Sequence, residues 1–153
     1  MSTLHLTIGL PGAGKTTYAR RWVAENPATR SRCNRDDLGK LMHGKRFYGD
    51  ETLYGPTEDA ITEAQHAMVL ELLSSGRDVI VDDTNLDVER RQRLVDAAVA
   101  IGAKVEIVDM CSVPLETVLE RNARRDSSTG FVPEQVIRDM WERYVAEKAE
   151  VAP

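Results

Sequence analysis

Cysteine is scarce in this sequence: Cys33 and Cys111 are the only two among 153 residues. Two thiols build neither a disulfide framework nor a metal-ligand spacing, so a reducing, cytoplasmic setting is expected. Long apolar runs are missing too. None approaches the ~20 residues that span a bilayer, and the N-terminus lacks a signal-peptide pattern. These absences exclude the secreted, membrane-spanning and disordered classes. A basic excess is also lacking: 20 Lys+Arg stand against 25 Asp+Glu, a formal net charge of −5. Proteins that coat nucleic acid by counterion release are usually basic. The balance argues against that class, yet leaves room for an enzyme that touches a strand end briefly. No repeat, low-complexity tract or linker interrupts the chain, so residues 1–153 are expected to form one domain.

What is present alternates in period. Leu4, Leu6 and Ile8 alternate with His5 and Thr7 as in a strand, and a glycine-rich turn follows. A helix is expected from Lys15 to Glu25, and an extended segment over residues 30–34. Ile61, Ala64, Met68 and Leu72 share a helical face. Val79, Ile80 and Val81 read as a buried strand. Asp87 is suited to cap a helix carrying Leu94, Val95, Ala98 and Ile101, and Val105, Ile107 and Val108 read as another buried strand. Pro114 opens a helix with Leu115, Val118 and Leu119, and Pro133 one with Val136, Met140 and Tyr144. Strands alternating with helices predict an α/β fold with a mostly parallel sheet, whose ligand lies beyond the strands' carboxyl ends. Residues 44–56 form the one long connection, a candidate substrate-facing loop.

Gly9-Leu10-Pro11-Gly12-Ala13-Gly14-Lys15-Thr16 matches G-x-x-x-x-G-K-[ST] at every fixed position, between a strand and a helix. Glycines let backbone N–H groups cradle phosphates at a helix N-terminus. Lys15 would reach the β and γ phosphates of ATP, and the Thr16 hydroxyl would ligate Mg2+. Two acidic sites follow later strands. In Asn34-Arg35-Asp36-Asp37 an acidic residue either caps a helix or takes the proton of an attacking hydroxyl. Asp82-Asp83 ends an apolar run like a Walker B strand; one aspartate should face the phosphates, and the alternation does not say which. Arg121, Arg124 and Arg125 precede Asp126-Ser127-Ser128-Thr129-Gly130. They read either as a solvated helix end or as a lid that neutralises phosphate charge. His5, His43 and His66 lack ligand spacing, and Trp22 and Trp141 read as packing residues.

Taken in series, residues 6–17 (LTIGLPGAGKTT), 34–37 (NRDD), 83–91 (DTNLDVERR), 121–125 (RNARR) and 132–137 (VPEQVI) resemble the kinase domain of phage polynucleotide 5′-kinases. The wider group of small P-loop kinases includes 5-hydroxymethyluracil DNA kinases and zeta-type toxins. The resemblance implies a P-loop NTPase fold with helices on both faces of the sheet and an arginine-bearing lid. It implies ATP contacts at Gly9, Pro11, Gly12, Ala13, Gly14, Lys15, Thr16 and Thr17, with Mg2+ at Thr16. Asp36 would be the general base, and Arg121 and Arg125 the lid arginines. Asp83, Thr84 and Lys40 would lie on the acceptor side.

Two departures stand out. Relatives commonly carry an arginine three residues after the base, gripping an acceptor phosphate; here that position is Gly39. Lys40, Lys45 and Arg46 are the candidates to replace it, although an ammonium is no equivalent of a guanidinium fork. The phosphatase domain of the best-known relatives has no counterpart, so 3′-phosphatase activity is not expected. The expected function is transfer of the γ-phosphoryl of ATP to a 5′-hydroxyl end of DNA or RNA. Alternatives are the hydroxymethyl of 5-hydroxymethyluracil in DNA, a small metabolite or nucleotide sugar, and a non-catalytic nucleotide switch. The expected partner is a weakly bound nucleic-acid substrate, with no membrane and no identifiable protein partner. If the chain is phage-encoded, its setting is the host cytoplasm.

Overall fold

The alternating N-terminal segment forms strand β1 (Thr3–Ile8) in a computed structural model that describes residues 1–126 and 130–147. Strand β3 (Asp78–Val81) lies on one side of β1 and β4 (Lys104–Asp109) on the other, and β2 (Arg30–Cys33) lies beyond β3. Every pairing is parallel, with Leu4 opposite both Val79 and Val105. Parallel neighbours need crossovers, and helices supply them. These are α1 (Lys15–Glu25), α2 (Arg35–His43), α3 (Tyr54–Ser74) and α4 (Val88–Ala100), with α5 (Leu115–Ala123) and α6 (Glu134–Tyr144) after β4. Leu4, Leu6, Val79 and Val81 are sealed by Val69 and Leu73 of α3 and by Leu94 and Ala98 of α4. A second cluster joins Ile8 and Leu10 to Val118 of α5 and Ile137 of α6. Among the described residues no helix is long and apolar enough to cross a membrane.

Four sequence expectations are corrected. The buried stripe of α3 is Ile61, Gln65, Val69 and Leu73, whereas Met68 is exposed; a polar residue with a buried partner interrupts the apolar period. Strand β4 is not sealed on both faces, and Ile107 is half exposed, because β4 pairs only with β1 at the sheet's edge. The long connection ends earlier than Pro56: α3 begins at Tyr54, and Asp50 collects the N–H groups of Thr52 and Leu53 just before it. Pro56 sits in the first turn, where a missing N–H costs nothing. On α6 the buried anchor is Ile137, and Val136 is exposed.

Candidate active site

The P-loop joins β1 to α1. Gly12 and Gly14 hold φ of +89° and +96°, a region that L side chains rarely enter. A Cβ on Gly12 would also sit 2.9 Å from the Val118 carbonyl oxygen, so its absence lets α5 pack directly on the loop. Gly9 N–H donates to the Thr84 carbonyl (3.1 Å), tying the loop to the end of β3. No side chain caps α1, whose first N–H groups therefore have no side-chain acceptor. Lys15 is buried and donates to the Leu10 carbonyl (2.7 Å). Burial pushes its ammonium down to about 8, Asp83 and Asp82 oppose that shift, and Arg125 adds to it. Thr16, Pro11 and Ala13 lie within or beneath the loop, and Thr17 is exposed on α1.

In the Asn34–Asp37 segment the helix cap is not an acidic residue. Asn34 caps α2, its Oδ1 accepting from Asp37 N–H (3.1 Å), which leaves Asp36 projecting from the first turn. Asp82 and Asp83 have different partners. Asp83 accepts from Arg35 N–H (2.9 Å), Asn34 Nδ2 (3.3 Å) and Gln65 Nε2 (2.6 Å). Burial nonetheless lifts its carboxyl to about 6. Its bonds tie it to the start of α2 and to α3, and its charge favours the Lys15 ammonium. Asp82 is sealed from solvent, and its Oδ2 accepts from Nε and Nη2 of Arg32, each at 2.9 Å. Arg32 also pairs with Asp37. Removing one partner of a buried ion pair costs about 3–5 kcal/mol. Arg32→Met should therefore lose about that much stability in urea unfolding at neutral pH; a loss below about 1 kcal/mol would contradict the pairing.

Thr84 and Asn85 follow. Asn85 adopts φ +46° and donates from Nδ2 to the carbonyls of Thr7 (2.9 Å), Val81 (3.2 Å) and Asp83 (3.2 Å). Arg91 of α4 donates to the Asn85 carbonyl (2.8 Å). This one asparagine thereby locks the turn carrying Asp83 and Thr84 against β1.

Asp36 is not isolated. Its Oδ1 accepts from Nη1 of Arg46 (2.6 Å), on the connection between α2 and α3. Arg46 in turn donates to both oxygens of Glu58, at 2.6 and 2.5 Å, and Arg35 Nη2 donates to the same carboxylate (3.0 Å). Burial opposes ionisation of Glu58, but the Arg46 and Arg35 hydrogen bonds outweigh it and hold its pKa below the usual value. Of the candidates to replace the arginine missing at position 39, Lys40 is exposed and outside these ion pairs, and Lys45 lies over the Phe47 ring. Arg46 alone reaches Asp36.

Helix α5 brings the arginines to the loop. Arg121 Nη1 donates to the Gly12 carbonyl (3.2 Å), and half-buried Arg125 lies near enough to Lys15 to influence its charge. Arg124 is exposed. The lid reading includes residues 127–129, which lie outside the described residues. Sequence reasoning missed Gln65, Glu58 and Arg32. Gln65 had a signal, since it is the polar member of the i, i+4 series 61-65-69-73; Glu58 and Arg32 had none.

A family model described as an AAA domain matches residues 4–147. An L-seryl-tRNA(Sec) kinase of Methanococcus maripaludis is 26% identical over 141 residues, 92% of this chain and 52% of that protein. A protein of Autographa californica nuclear polyhedrosis virus, named a bifunctional polynucleotide kinase/RNA ligase, is 28% identical over 141 residues. That match covers 87% of this chain and 20% of the viral protein. Among solved structures, a chain of the Pnkp1/Rnl/Hen1 RNA repair complex aligns with a TM-score of 0.78 and 28% identity, over 99% of this chain and 46% of that one. Kti12 of Chaetomium thermophilum, solved with ADP-AlF3, shares the fold at a TM-score of 0.66 and 20% identity. The chain thus spans about half, or less, of each of the first three proteins.

Proposed function

From the premise that the chain belongs to the AAA domain family, we propose that it is an ATP-dependent kinase for a 5′-hydroxyl end of DNA or RNA. One arrangement carries the reading. The Asp83 charge favours the buried Lys15 ammonium, and Asp83 is hydrogen-bonded by the first residues of the helix bearing Asp36. One carboxylate thereby sits between the phosphate-binding loop and the helix that presents Asp36. The viral relative named a polynucleotide kinase/RNA ligase, 28% identical, supports the nucleic-acid acceptor.

In this reading the loop amides and Lys15 hold the β and γ phosphates. Arg121 and Arg125 offset the charge that gathers on the transferring group. Asp36 accepts the acceptor's hydroxyl proton as its oxygen bonds to the γ phosphorus and the bond to the β,γ-bridging oxygen breaks, releasing ADP. The donor set fits Mg2+, which keeps water and substrate phosphates as most of its ligands; Thr16 would contribute the hydroxyl. When bound, the ion neutralises phosphate charge.

Tyr48 offers a surface for the acceptor. Its ring is exposed, lies 5.0 Å from the Arg46 guanidinium and 5.7 Å from the Tyr54 ring. Base–aromatic stacking is worth about 1–3 kcal/mol, so Tyr48→Ala should raise KM for an oligonucleotide by about 5–160-fold. KM for ATP should stay unchanged in the same steady-state assay.

A second reading, a hydroxyl carried on a charged tRNA, is favoured by the L-seryl-tRNA(Sec) kinase match. An acceptor panel with γ-labelled ATP decides between them. It contains 5′-OH DNA, 5′-OH RNA, 5-hydroxymethyluracil DNA, seryl-tRNA, a nucleoside and a free sugar. Label on the 5′-OH strands is expected. Label confined to seryl-tRNA, the modified base or a soluble alcohol overturns the proposal, and so does ATP binding without any transfer.

A further inference from the structure

We infer that Arg46 is the positioning residue for Asp36, delivered by the α2–α3 connection through the space that Gly39 leaves open. The inference rests on the reading of Asp36 as the base. Gly39 lies one turn after Asp36 on the same helix face. It is buried, and a Cβ there would fall 2.3 Å from Arg46 Cδ and 3.2 Å from Ile61 Cδ1. The stem of Arg46 therefore crosses the bare backbone of α2, and only glycine at position 39 admits it.

The geometry at the far end is that of a clamp. Two parallel hydrogen bonds to Glu58 fix the plane of the guanidinium. Glu58 is held in turn by Arg35, whose Nη1 donates to Thr62 Oγ1 (2.9 Å) and whose backbone N–H donates to Asp83. A continuous run of charge-assisted bonds thus leads from Asp83 to Asp36. The Arg46 side chain is 11% exposed and Asp36 58% exposed. The buried guanidinium takes Oδ1 alone, and no group among the described residues donates to Oδ2. One carboxylate oxygen is anchored, and the other is left for a hydroxyl.

This arrangement also argues against Arg46 as a phosphate grip. Its charge is already matched by Glu58 in a fork that a phosphate would have to break, with two carboxylates crowding the approach. Arg46 thus answers the missing side chain at position 39 by orienting the base, not by holding the strand.

The test is a double-mutant cycle on kcat for an accepted 5′-OH oligonucleotide. Misplacing a reacting group by about 1 Å can cost about 10²-fold, so Arg46→Met should lower kcat by about that factor. KM for ATP and for the oligonucleotide should change less than about twofold. Gly39→Ala should lower kcat in the same direction although alanine favours a helix. In an Arg46→Ala background, itself slowed like Arg46→Met, the same alanine should cost nothing further in kcat, because the stem it displaces is gone. Additive losses in the cycle overturn the inference, and so does a raised oligonucleotide KM with kcat retained, which would make Arg46 a strand contact. Thermal melts identify any variant that fails to fold, and Gly39→Ala then carries the test. Asp36→Ala assayed alongside separates the two claims. A wild-type rate for it removes the base itself, whereas an inactive Asp36→Ala beside a fully active Arg46→Met removes only the clamp.

Discussion

Asp36→Asn is expected to slow phosphoryl transfer by about 10²–10⁴-fold, the range that a positioned general base contributes. Asparagine keeps the shape of the side chain, and its Oδ1 can still accept from Arg46 Nη1. It cannot take a proton from a hydroxyl. Nothing in the P-loop touches the side chain, so ATP affinity should stay within about twofold by titration calorimetry; a difference in kcat alone would isolate the proton step. Phosphoryl transfer has a loose transition state in which most catalysis is positioning and charge neutralisation. The loss should therefore fall short of complete inactivity. A normal rate would remove Asp36 from the chemistry.

Lys15→Met is expected to move two measurements in opposite directions: activity collapses while the ligand-free protein becomes more stable. Its ammonium falls from 10.5 to about 8 on folding because the side chain is buried. That shift corresponds to a penalty on the order of 3 kcal/mol in the folded state. Between about pH 8 and 10.5 the unfolded chain binds the proton that the folded chain has released. Stability therefore rises with pH across that window, and the full penalty applies below pH 8. Methionine fills the same channel without a charge. It forfeits only the charge-assisted bond to the Leu10 carbonyl, worth about 1.5–3 kcal/mol. Calorimetry at pH 7 should show the melting temperature rising by up to roughly 6 °C, at about 2–4 °C per kcal/mol for a chain of this size. Transfer should fall by at least about 10²-fold, as when a preorganised donor to a charged transition state is removed. ATP should raise the melting temperature of the wild type far more than that of the variant, because the triphosphate meets the buried charge. A lowered melting temperature in the variant would show that Lys15 carries no such penalty.

Much of the site was legible because it is local. The P-loop is a spacing, the start of α1 at Lys15 follows from the loop, and Asp87 accepts from Arg90 N–H as its position before α4 suggests. What could not be read depends on partners distant in sequence. Period-two alternation places Asp82 and Asp83 on opposite faces, but only Arg32 and Gln65, 50 and 18 positions away, decide what each one does. Gln65 hid the true stripe of α3, since a polar residue at a core position looks like a break in the pattern. Gly39 read as a loss. In the folded chain it is the gap that Arg46 occupies, a contact set by how the α2–α3 connection returns across α2. Strand β4 misled for a similar reason, because valine and isoleucine suit an edge strand as well as a central one.

The net charge of −5 now sits beside a site whose positive groups, from Lys15 to Arg125, are concentrated at one end of the sheet. Binding to a strand should accordingly be weak and fall with salt.

The most direct measurement maps where the phosphate goes. A 5′-OH oligonucleotide is incubated with γ-labelled ATP and the protein, and the product is digested to nucleotides. All label should appear on the 5′-terminal nucleotide, and a 5′-phosphorylated control should take up none. Label on an internal residue, equal labelling of the control, or no transfer while ATP remains bound would contradict the account.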